Sequence, residues 1–377
     1  MKIMKFGGTS VGSPQRIKNV ASLISSDEQK FVVLSAMSGT TNTLVEITDY
    51  LNKENPLGAN NVISRLESVY HKHVGELYST EEYRELTDKF ITEEFAHLHK
   101  LTQKKHDENV DKEILAQGEI ISTNMMTNYL KECGKNVVLL PALDFMSINK
   151  DKEPDELQIS KRLSEILQKQ PGYNIYITQG FICRNAEGNV DNLQRGGSDY
   201  TASLIGAAIK AEEIQIWTDI DGMHNNDPRF VEGTKPVDQL NFEEAAELAY
   251  FGAKILHPTC ILPAKFAGIP VRLLNTLDPS AKGTIINNEM ESGKIKAIAA
   301  KDGITAIRIV SSRMLLASGF MSKVFNIFDT FNTSIDMITT SEVGVSMSID
   351  NPAHLNEIIG ELKKYGTVDI VRDMCII

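Results

Sequence analysis

The sequence lacks any apolar run of the roughly 18 or more residues that a membrane-spanning helix needs, so we expect no membrane partner. Cysteine is scarce as well. The four cysteines are widely separated and form no C-x-x-C pair, so neither a disulfide framework nor a zinc site is indicated. No secretory segment follows Met1. Together these absences predict a cytoplasmic protein with reduced thiols.

Positive charge is in short supply. Lys and Arg number 39 against 50 Asp and Glu, which gives a formal net charge of -11. Binding to nucleic acid requires clustered basic residues, so we expect no nucleic-acid partner. Apolar residues make up 42% and charged residues 24%, which are ordinary values for a folded globular chain. At about 150 residues per domain, the length predicts two or three domains.

Short apolar runs alternate with helical patterns along most of the chain. They predict strands at residues 3–6, 31–35, 136–140, 175–178, 214–218 and 270–275. Continuous apolar runs are typical of strands that are covered on both faces, so the sequence predicts a mostly parallel α/β sandwich. Between residues 56 and 110 the composition changes to charged helix formers, and we interpret this segment as a helical insertion. Its histidines lack the H-E-x-x-H spacing of a zinc site.

The pattern changes again from Gly303 onward. It predicts, in order, a strand at 304–310, a helix at 318–330, strands at 335–339 and 343–349, a helix at 353–364 and a strand at 366–371. The strand at 343–349 alternates strictly between apolar and other residues, as half-buried antiparallel strands do. We therefore predict a ferredoxin-like βαββαβ domain at 303–377. A polar linker at 287–302 separates it from a first domain at 1–286.

A glycine turn follows the first predicted strand and precedes a helical pattern; it reads K-F-G-G-T-S-V-G over residues 5–12. Glycines let backbone N–H groups approach phosphate oxygens, and a helix N-terminus favours anions. Lys5 adds a mobile cation. The turn is neither a Walker A motif nor G-x-G-x-x-G, so a plain strand-to-helix turn stays open as an alternative.

Five further motifs carry candidate ligand-binding residues. They are S-A-M-S-G-T-T-N at 35–42, Q-G-E-I-I-S-T at 117–123, L-Q-R-G-G-S-D-Y-T-A at 193–202, W-T-D-I-D-G-M-H-N-N-D-P-R at 217–229 and F-G-A-K-I-L-H-P at 251–258. Arg195 can bind a carboxylate bidentately, whereas Glu119 beside a phosphate site suits a cation such as a substrate ammonium group. Turn and capping roles stay open, including a helix-terminal position for Glu119. Cations and glycines after several strands together favour phosphoryl transfer.

These motifs in this order closely resemble the aspartate kinase (aspartokinase) family over nearly the whole chain. The resemblance rests on K-F-G-G-T-S-V-G, R-G-G-S-D, T-D-x-x-G-x-x-x-x-D-P-R and F-G-A-K-x-L-H-P. It implies the amino-acid-kinase fold, a three-layer α/β sandwich, and ATP as the donor, with Mg²⁺ carried by the nucleotide and no separate metal site. It also implies phosphorylation of the side-chain carboxylate of L-aspartate to 4-phospho-L-aspartate, the first step towards lysine, threonine and methionine.

The resemblance also implies roles for individual residues. The catalytic residues it implies are Lys5, Asp199 and Lys254. The ATP-binding residues it implies are Lys5, Phe6, Gly7, Gly8, Thr218, Asp219, His224, Arg229, Lys254 and Ile255. The aspartate-binding residues it implies are Thr41, Glu119, Arg195, Gly196, Gly197 and Ser198. Glu119 would face the ammonium group and Arg195 the α-carboxylate. The chain departs from many relatives at His224, where they carry Tyr.

The C-terminal domain resembles the ACT domain, the amino-acid-sensing module of this family. The effector-site residues that this implies are Met314, Phe320, Met321, Ser334, Ile335, Asp336, Ser341 and Glu342. Lysine or threonine is the effector to expect, although lysine-binding members often carry Ser where Ala317 stands. ACT domains generally pair side by side, which implies a homodimer or a higher homo-oligomer. Family chains usually continue into a second ACT unit, so we expect this chain either to be part of a longer protein or to have reduced regulation.

Two alternative functions remain open. The same fold could phosphorylate another acceptor, such as carbamate, N-acetylglutamate, glutamate or a nucleotide. Glu119 together with Arg195 favours an amino acid with a free ammonium group over acceptors that lack one. The chain could instead be an inactive amino-acid sensor. Loss of Lys5, Asp199 or Lys254 would have favoured that hypothesis, but all three are present.

Overall fold

The computed structural model describes residues 1–193, 196–251, 256–291, 293, 295–314 and 318–377. The chain divides into two compact units, Met1–Ala297 and Ile298–Ile377. Across these described residues, no helix has both the length and the apolar character needed to cross a membrane.

The first unit is built on a sheet that contains eight strands within the described residues. The strands of this unit are β1 (Lys2–Phe6), β2 (Lys30–Leu34), β3 (Val137–Leu139), β4 (Ile175–Gln179), β5 (Ile182–Arg184), β6 (Val190–Asn192), β7 (Ile214–Thr218), β8 (Gln239–Asn241), β9 (Val271–Asn275) and β10 (Thr284–Asn287). The large sheet has the order β3-β4-β2-β1-β7-β9-β10-β8, and β5 pairs with β6 in a separate hairpin. Neighbouring strands from β3 to β9 are parallel, whereas β10 is antiparallel to β9. The predicted mostly parallel α/β fold is confirmed.

Helices cover both faces of this sheet. They are α1 (Pro14–Ile24), α2 (Thr40–Asn52), α3 (Pro56–Leu77), α4 (Glu81–Leu101), α5 (Glu108–Glu132), α6 (Glu156–Lys169), α7 (Gly197–Ile209), α8 (Phe242–Phe251) and α9 (Leu262–Ala267). Adjacent residues of a strand point to opposite faces, so Met4 packs in one apolar cluster with α1 to α5 while Ile3 packs in another with α6, α7 and α9. The first unit therefore has three layers. The segment predicted as an insertion supplies α3 and α4, whose apolar residues share the cluster of β1 and β2.

The parallel strands place several loops at one edge of the sheet. β1, β2, β4 and β7 pair in parallel register, so the loops that follow their carboxyl ends lie side by side. In open α/β sheets this edge is where ligands gather. The six predicted strands coincide with six observed ones to within one or two residues at their ends. The prediction missed β5, β6, β8 and β10, which are three or four residues long and, unlike β3, each include a polar or charged residue.

The second unit has the predicted βαββαβ order. Its elements are β11 (Lys301–Val310), α10 (Phe320–Thr330), β12 (Met337–Thr340), β13 (Gly344–Ile349), α11 (Leu355–Leu362) and β14 (Thr367–Ile376). The strands form an antiparallel sheet with the order β12-β13-β11-β14, as in ferredoxin-like folds. Alternate residues of β11 and β13, among them Ile307 and Met347, pack in one cluster with α10 and α11. β14 extends past the predicted end at residue 371 because it keeps pairing with β11 through two register shifts.

Candidate active site

The glycine turn after β1 packs directly on the loop after β2. The amide of Ser38 donates to the carbonyl of Gly8 at 3.1 Å. A Cβ atom at residue 8 would lie 2.8 Å from the carbonyl oxygen of Ala36, which is closer than real Cβ contacts come. Only glycine lets the two backbones approach this closely. The turn then leads into α1, where the Ser13 side chain accepts from the amide of Arg16 at 3.3 Å.

Lys5 and Asp199 form an ion pair at the same edge of the sheet. The Lys5 Nζ lies 2.7 Å from the Asp199 Oδ1, and the two side chains are only 12% and 15% exposed. Asp199 is in the first turn of α7, which follows Gly196. Gly196 has a φ of +67°, and a Cβ atom there would lie 2.1 Å from the Cys260 Sγ. Glycine at this position therefore allows the sharp entry that brings Asp199 to Lys5.

Glu119 lies in the middle of α5 and is almost fully buried. A helix-terminal position for this residue is therefore wrong. Its Oε1 accepts from the amide of Ala36 at 3.1 Å, whereas its Oε2 has no hydrogen-bond partner among the described residues. Burial raises the pKa of Glu119 from 4.5 to about 7, although the Ala36 amide and the nearby Lys5 cation oppose the rise. A cation brought to the free oxygen would favour the charged carboxylate.

These residues surround one cavity of about 460 Å³. Its lining residues are Lys5, Gly8, Ser35, Ala36, Met37, Ser38, Gly39, Thr41, Asn42, Glu119, Phe181, Gly196, Gly197, Ser198 and Asp199. The structure thus brings together the glycine turn, the 35–42 loop, the middle of α5 and the start of α7. The Ser35 and Ser198 hydroxyl groups, which belong to two different motifs, lie 2.9 Å apart. Cation, acid and hydroxyl groups therefore face one space of ligand size.

Some lining residues were not singled out from the sequence. Phe181 lies shortly after β4 and belongs to none of the motifs, so no sequence signal marked it as a site residue. Its backbone has a φ of +67°, and its amide donates to the Thr201 Oγ1 at 3.0 Å. Asn42 and Ser38 belong to a loop that the sequence did mark, but only Thr41 was assigned a role there.

Of the described residues that were predicted to bind ATP, Lys5 and Gly8 line the cavity and the others lie elsewhere. The Phe6 side chain is fully buried and stacks on Trp217 with ring centroids 5.7 Å apart, so only its backbone is available to a ligand. Thr218 ends β7 beside β1, and Asp219 lines a small cleft together with Ser10 of the glycine turn. Gly7 lies in the turn itself, and its amide donates to the Trp217 carbonyl at 3.4 Å.

The side chains of His224 and Arg229 do not line the cavity. The two ring nitrogens of His224 contact the Asp221 Oδ1 at 2.6 Å and the Thr234 Oγ1 at 2.8 Å. Arg229 pairs with Asp227 two residues earlier, and this pairing lowers the pKa of the Asp227 carboxyl group. Both side chains thus brace their own loop in this structure. The predicted site residues Arg195, Lys254 and Ile255, and also Ala317, lie outside the described residues.

The predicted effector-site residues occupy two places in the second unit. Met314, Phe320 and Met321 follow β11 and begin α10. Ser341 and Glu342 lie in the turn after β12. The amide of Ser311, directly after β11, donates to the carbonyl of Val343 at 2.9 Å, so this turn lies beside the end of β11 and these five residues form one group. Ser334, Ile335 and Asp336 instead precede β12. The four residues of that strand span about 13 Å, so the two groups stand at opposite ends of it.

The fold, together with a match to a family model, identifies the class of protein to which this chain belongs. The model of the amino acid kinase family matches residues 1–275, which include the glycine turn, the 35–42 loop, Glu119 and Asp199. The first unit thus has the fold of an amino acid kinase.

Individual relatives narrow the assignment. Aspartokinase 3, chloroplastic, of Arabidopsis thaliana is 35% identical and aligns with 100% of this chain and 70% of its own length. Lysine-sensitive aspartokinase 3 of Escherichia coli is 34% identical over 92% of this chain and 78% of its own length. The crystal structure of E. coli aspartokinase III in complex with aspartate and ADP is 31% identical, with a TM-score of 0.81 over 100% of this chain and 86% of that chain. This chain belongs to the aspartokinase family.

Proposed function

We propose that this chain transfers the γ-phosphoryl group of ATP to the side-chain carboxylate of L-aspartate, giving 4-phospho-L-aspartate and ADP. The observation that carries the proposal is the cavity in which Lys5, the glycine turn and the buried Glu119 face one another. The turn and Lys5 suit the phosphates of a nucleotide, whereas Glu119 suits a positive charge. A donor with phosphates and an acceptor with an ammonium group fit these two sides.

The acceptor side of the cavity matches an amino acid. L-Aspartate has one ammonium group and two carboxylates. The unpartnered Glu119 Oε2 can accept from the ammonium group, and binding then favours the charged form of an acid that burial otherwise keeps partly protonated. Ser198 and the backbone of Gly197 can donate to a carboxylate. Arg195 is the residue that we expect to hold the α-carboxylate.

The donor side depends on Lys5. In this structure its ammonium group lies against Asp199, a carboxylate that a γ-phosphate oxygen can replace as a partner. One oxygen of the aspartate side chain attacks the γ-phosphorus in line. The bond from that phosphorus to the bridging β–γ oxygen breaks, and ADP leaves with the electron pair. The attacking carboxylate is already ionised at neutral pH, so the chemistry requires positioning and charge neutralisation rather than a general base.

Magnesium is expected to arrive with the nucleotide. In the described ranges, no group of three or more His, Cys, Asp or Glu side chains is placed to hold a metal ion. Mg²⁺ commonly binds through one or two carboxylates together with substrate phosphates, and Asp199 offers one carboxylate at the edge of the cavity. The residues present therefore fit a nucleotide-borne ion, which would neutralise charge on the phosphates when bound.

Regulation by an amino acid is the proposed role of the second unit. The support is the ferredoxin-like strand order of this unit, together with the likeness of the whole chain to E. coli aspartokinase III, whose structure in complex with lysine and aspartate has a TM-score of 0.77 to this chain. We propose lysine or threonine as the effector. Adding each amino acid to the kinase assay, alone and together, tests this. Unchanged rates in all three conditions would contradict the proposed regulation.

The decisive experiment traps the product. The protein is incubated with Mg-ATP, L-aspartate and hydroxylamine, which converts an acyl phosphate into a hydroxamate. We expect hydroxamate with L-aspartate and little with N-acetyl-L-aspartate, because the acetyl group removes the positive charge that Glu119 would bind. The absence of hydroxamate from a folded protein would overturn the proposed function. Equal rates with both acceptors would overturn the role of Glu119.

A further inference from the structure

The residues of the loop at 35–42, here called the substrate loop, face two directions. Gly39, Thr41 and Asn42 line the cavity. Thr40, which lies between them and begins α2, is only 4% exposed and points away from the cavity into the helical layer. The loop therefore has a ligand-facing side and an anchored side.

Thr40 is anchored by a tyrosine from α3. The Thr40 Oγ1 and the Tyr70 Oη lie 2.7 Å apart, and Tyr70 is fully buried. The Tyr70 ring packs against Phe95 of α4, with ring centroids 5.8 Å apart. Burial raises the pKa of Tyr70 well above its ordinary value, so the hydroxyl group stays protonated. Two hydroxyl groups that pair in a buried place hold each other firmly, because breaking the pair leaves both unsatisfied.

The other half of the substrate loop is held by α5. Glu119 accepts from the Ala36 amide, and the Ser122 hydroxyl donates to the Ser35 carbonyl at 2.8 Å. A Cβ atom at Gly118 would lie 2.7 Å from the Ala36 Cβ, which shows how closely the helix and the loop pack. α5 therefore fixes the start of the loop, whereas α3 fixes its end through Tyr70.

We infer that Tyr70 is a positioning residue for the amino-acid substrate. By holding Thr40, it fixes the first turn of α2 and so places Thr41 and Asn42 in the cavity wall. The inference rests on the proposed function. It also gives a role to the helical segment that begins at Pro56: its first helix contributes to substrate binding without touching the substrate.

The matched test compares two buried tyrosines of the same helical layer. Tyr78 is 3% exposed, and its hydroxyl donates to the Met125 carbonyl at 2.7 Å, away from the substrate loop. Tyr70→Phe removes the buried hydrogen bond to Thr40, and Tyr78→Phe removes the buried hydrogen bonding of the Tyr78 hydroxyl to Met125 and Thr87. We expect Tyr70→Phe to raise the KM for L-aspartate about fivefold while the KM for ATP and kcat change less than about twofold. Tyr78→Phe should lower the Tm comparably without raising that KM.

Variants at Thr40 test the pairing itself. Thr40→Val should reproduce the Tyr70→Phe effect, and the double variant should show no further rise, because both changes remove the same interaction. Thr40→Ser keeps the hydroxyl group and should keep the KM within about twofold of the unaltered protein. Additive effects in the double variant, or a rise in KM shared equally by Tyr78→Phe, would overturn the inference.

A measurement that does not depend on catalysis can test the role of Tyr70 separately from the proposed function. Hydrogen–deuterium exchange of residues 35–42 should be faster in Tyr70→Phe than in the unaltered protein, and unchanged in Tyr78→Phe. If the unaltered protein forms no hydroxamate, the proposed function fails, and the exchange rates still decide the role of Tyr70. Equal exchange in both variants would show that Tyr70 does not position the substrate loop.

Discussion

At the wall of the cavity, one carboxylate oxygen of Glu119 accepts a hydrogen bond and the other has no hydrogen-bond partner among the described residues. The Ala36 amide occupies Oε1, and Oε2 has no hydrogen-bond partner within the described chain. Burying an acid in this way costs free energy unless a positive ligand arrives. The residue is therefore suited to binding an ammonium group rather than to stabilising the free protein.

The pH dependence of substrate binding should report on Glu119. Burial raises its pKa to about 7, so its charged fraction falls as the pH drops from 8 to 6. An ammonium group binds the charged form, and the KM for L-aspartate should therefore rise roughly tenfold over that interval. The measurement is KM against pH from ADP release, with the KM for ATP as the control. Glu119→Gln should raise the KM for L-aspartate and flatten its profile. A constant KM in the unaltered protein would contradict this assignment.

Lys5 is the cation whose removal should affect catalysis most directly. Lys5→Met should lower kcat roughly a hundredfold or more, because Lys5 is the one cationic side chain that the described residues place in the cavity wall. Lys2→Met is the matched control, since Lys2 lies on the same strand but is 40% exposed and pairs with Glu28. The control variant should keep normal kinetics, and both should remain folded by thermal unfolding. Equal activity of the two variants would remove Lys5 from the proposed mechanism.

Among the elements, the loops after β1 and β2 depend on each other. The carbonyl of Gly8 accepts from Ser38, and the backbones at Gly8 and Ala36 are too close to admit a side chain between them. A shift in either loop moves a wall of the cavity. The geometry of the phosphate-facing turn is thus set by a second element, not by the turn alone.

A single methyl group should test this dependence. Gly8→Ala pushes the turn away from Ala36 and should lower kcat/KM roughly a hundredfold, with a destabilisation of about 1–3 kcal/mol. Gly75→Ala in α3 is the control, because a Cβ atom there meets no atom within 4 Å. That variant should be stabilised by up to about 1 kcal/mol, since alanine is the better helix former. Chemical denaturation and steady-state kinetics measure both; normal kinetics in Gly8→Ala would contradict the argument.

At the scale of the whole molecule, the second unit has an edge that suits pairing between chains. β12 ends the sheet, and all four of its residues are exposed, including Met337 and Ile338. An exposed apolar edge strand favours addition of another strand. The two groups of predicted effector residues stand at opposite ends of β12, so two paired copies could complete a site that one chain leaves divided.

Sedimentation velocity tests this assembly. We expect a homodimer at micromolar concentration, and Ile338→Lys should shift it towards monomer by placing charge on the edge. Leu157→Lys is the control, because Leu157 is 87% exposed and belongs to the first unit rather than to the sheet that contains β12. The control variant should sediment as the unaltered protein does. A monomeric unaltered chain, or equal dissociation of the two variants, would rule out pairing through β12.

The sequence alone was enough to predict the class of protein and its fold. The family, the α/β fold and the aspartate kinase assignment are confirmed, because ordered motifs and apolar runs are local features that can be read along the chain. Parallel strands also bring their carboxyl ends to one edge, which is why motifs more than a hundred residues apart could be expected to meet. The domain boundaries, the individual site residues and the cytoplasmic location stay predictions.

Contacts that join distant segments were decided only by the tertiary structure. The sequence left a helix-terminal position open for Glu119, whereas packing buries it in mid-helix against Ala36. It carried no signal for Phe181 in the cavity or for Tyr70 behind the substrate loop. Local patterns fix which residues share a strand or a helix face. Burial, unpaired oxygens and hydroxyl pairs depend on which elements then pack together, and that is determined only when the whole chain folds.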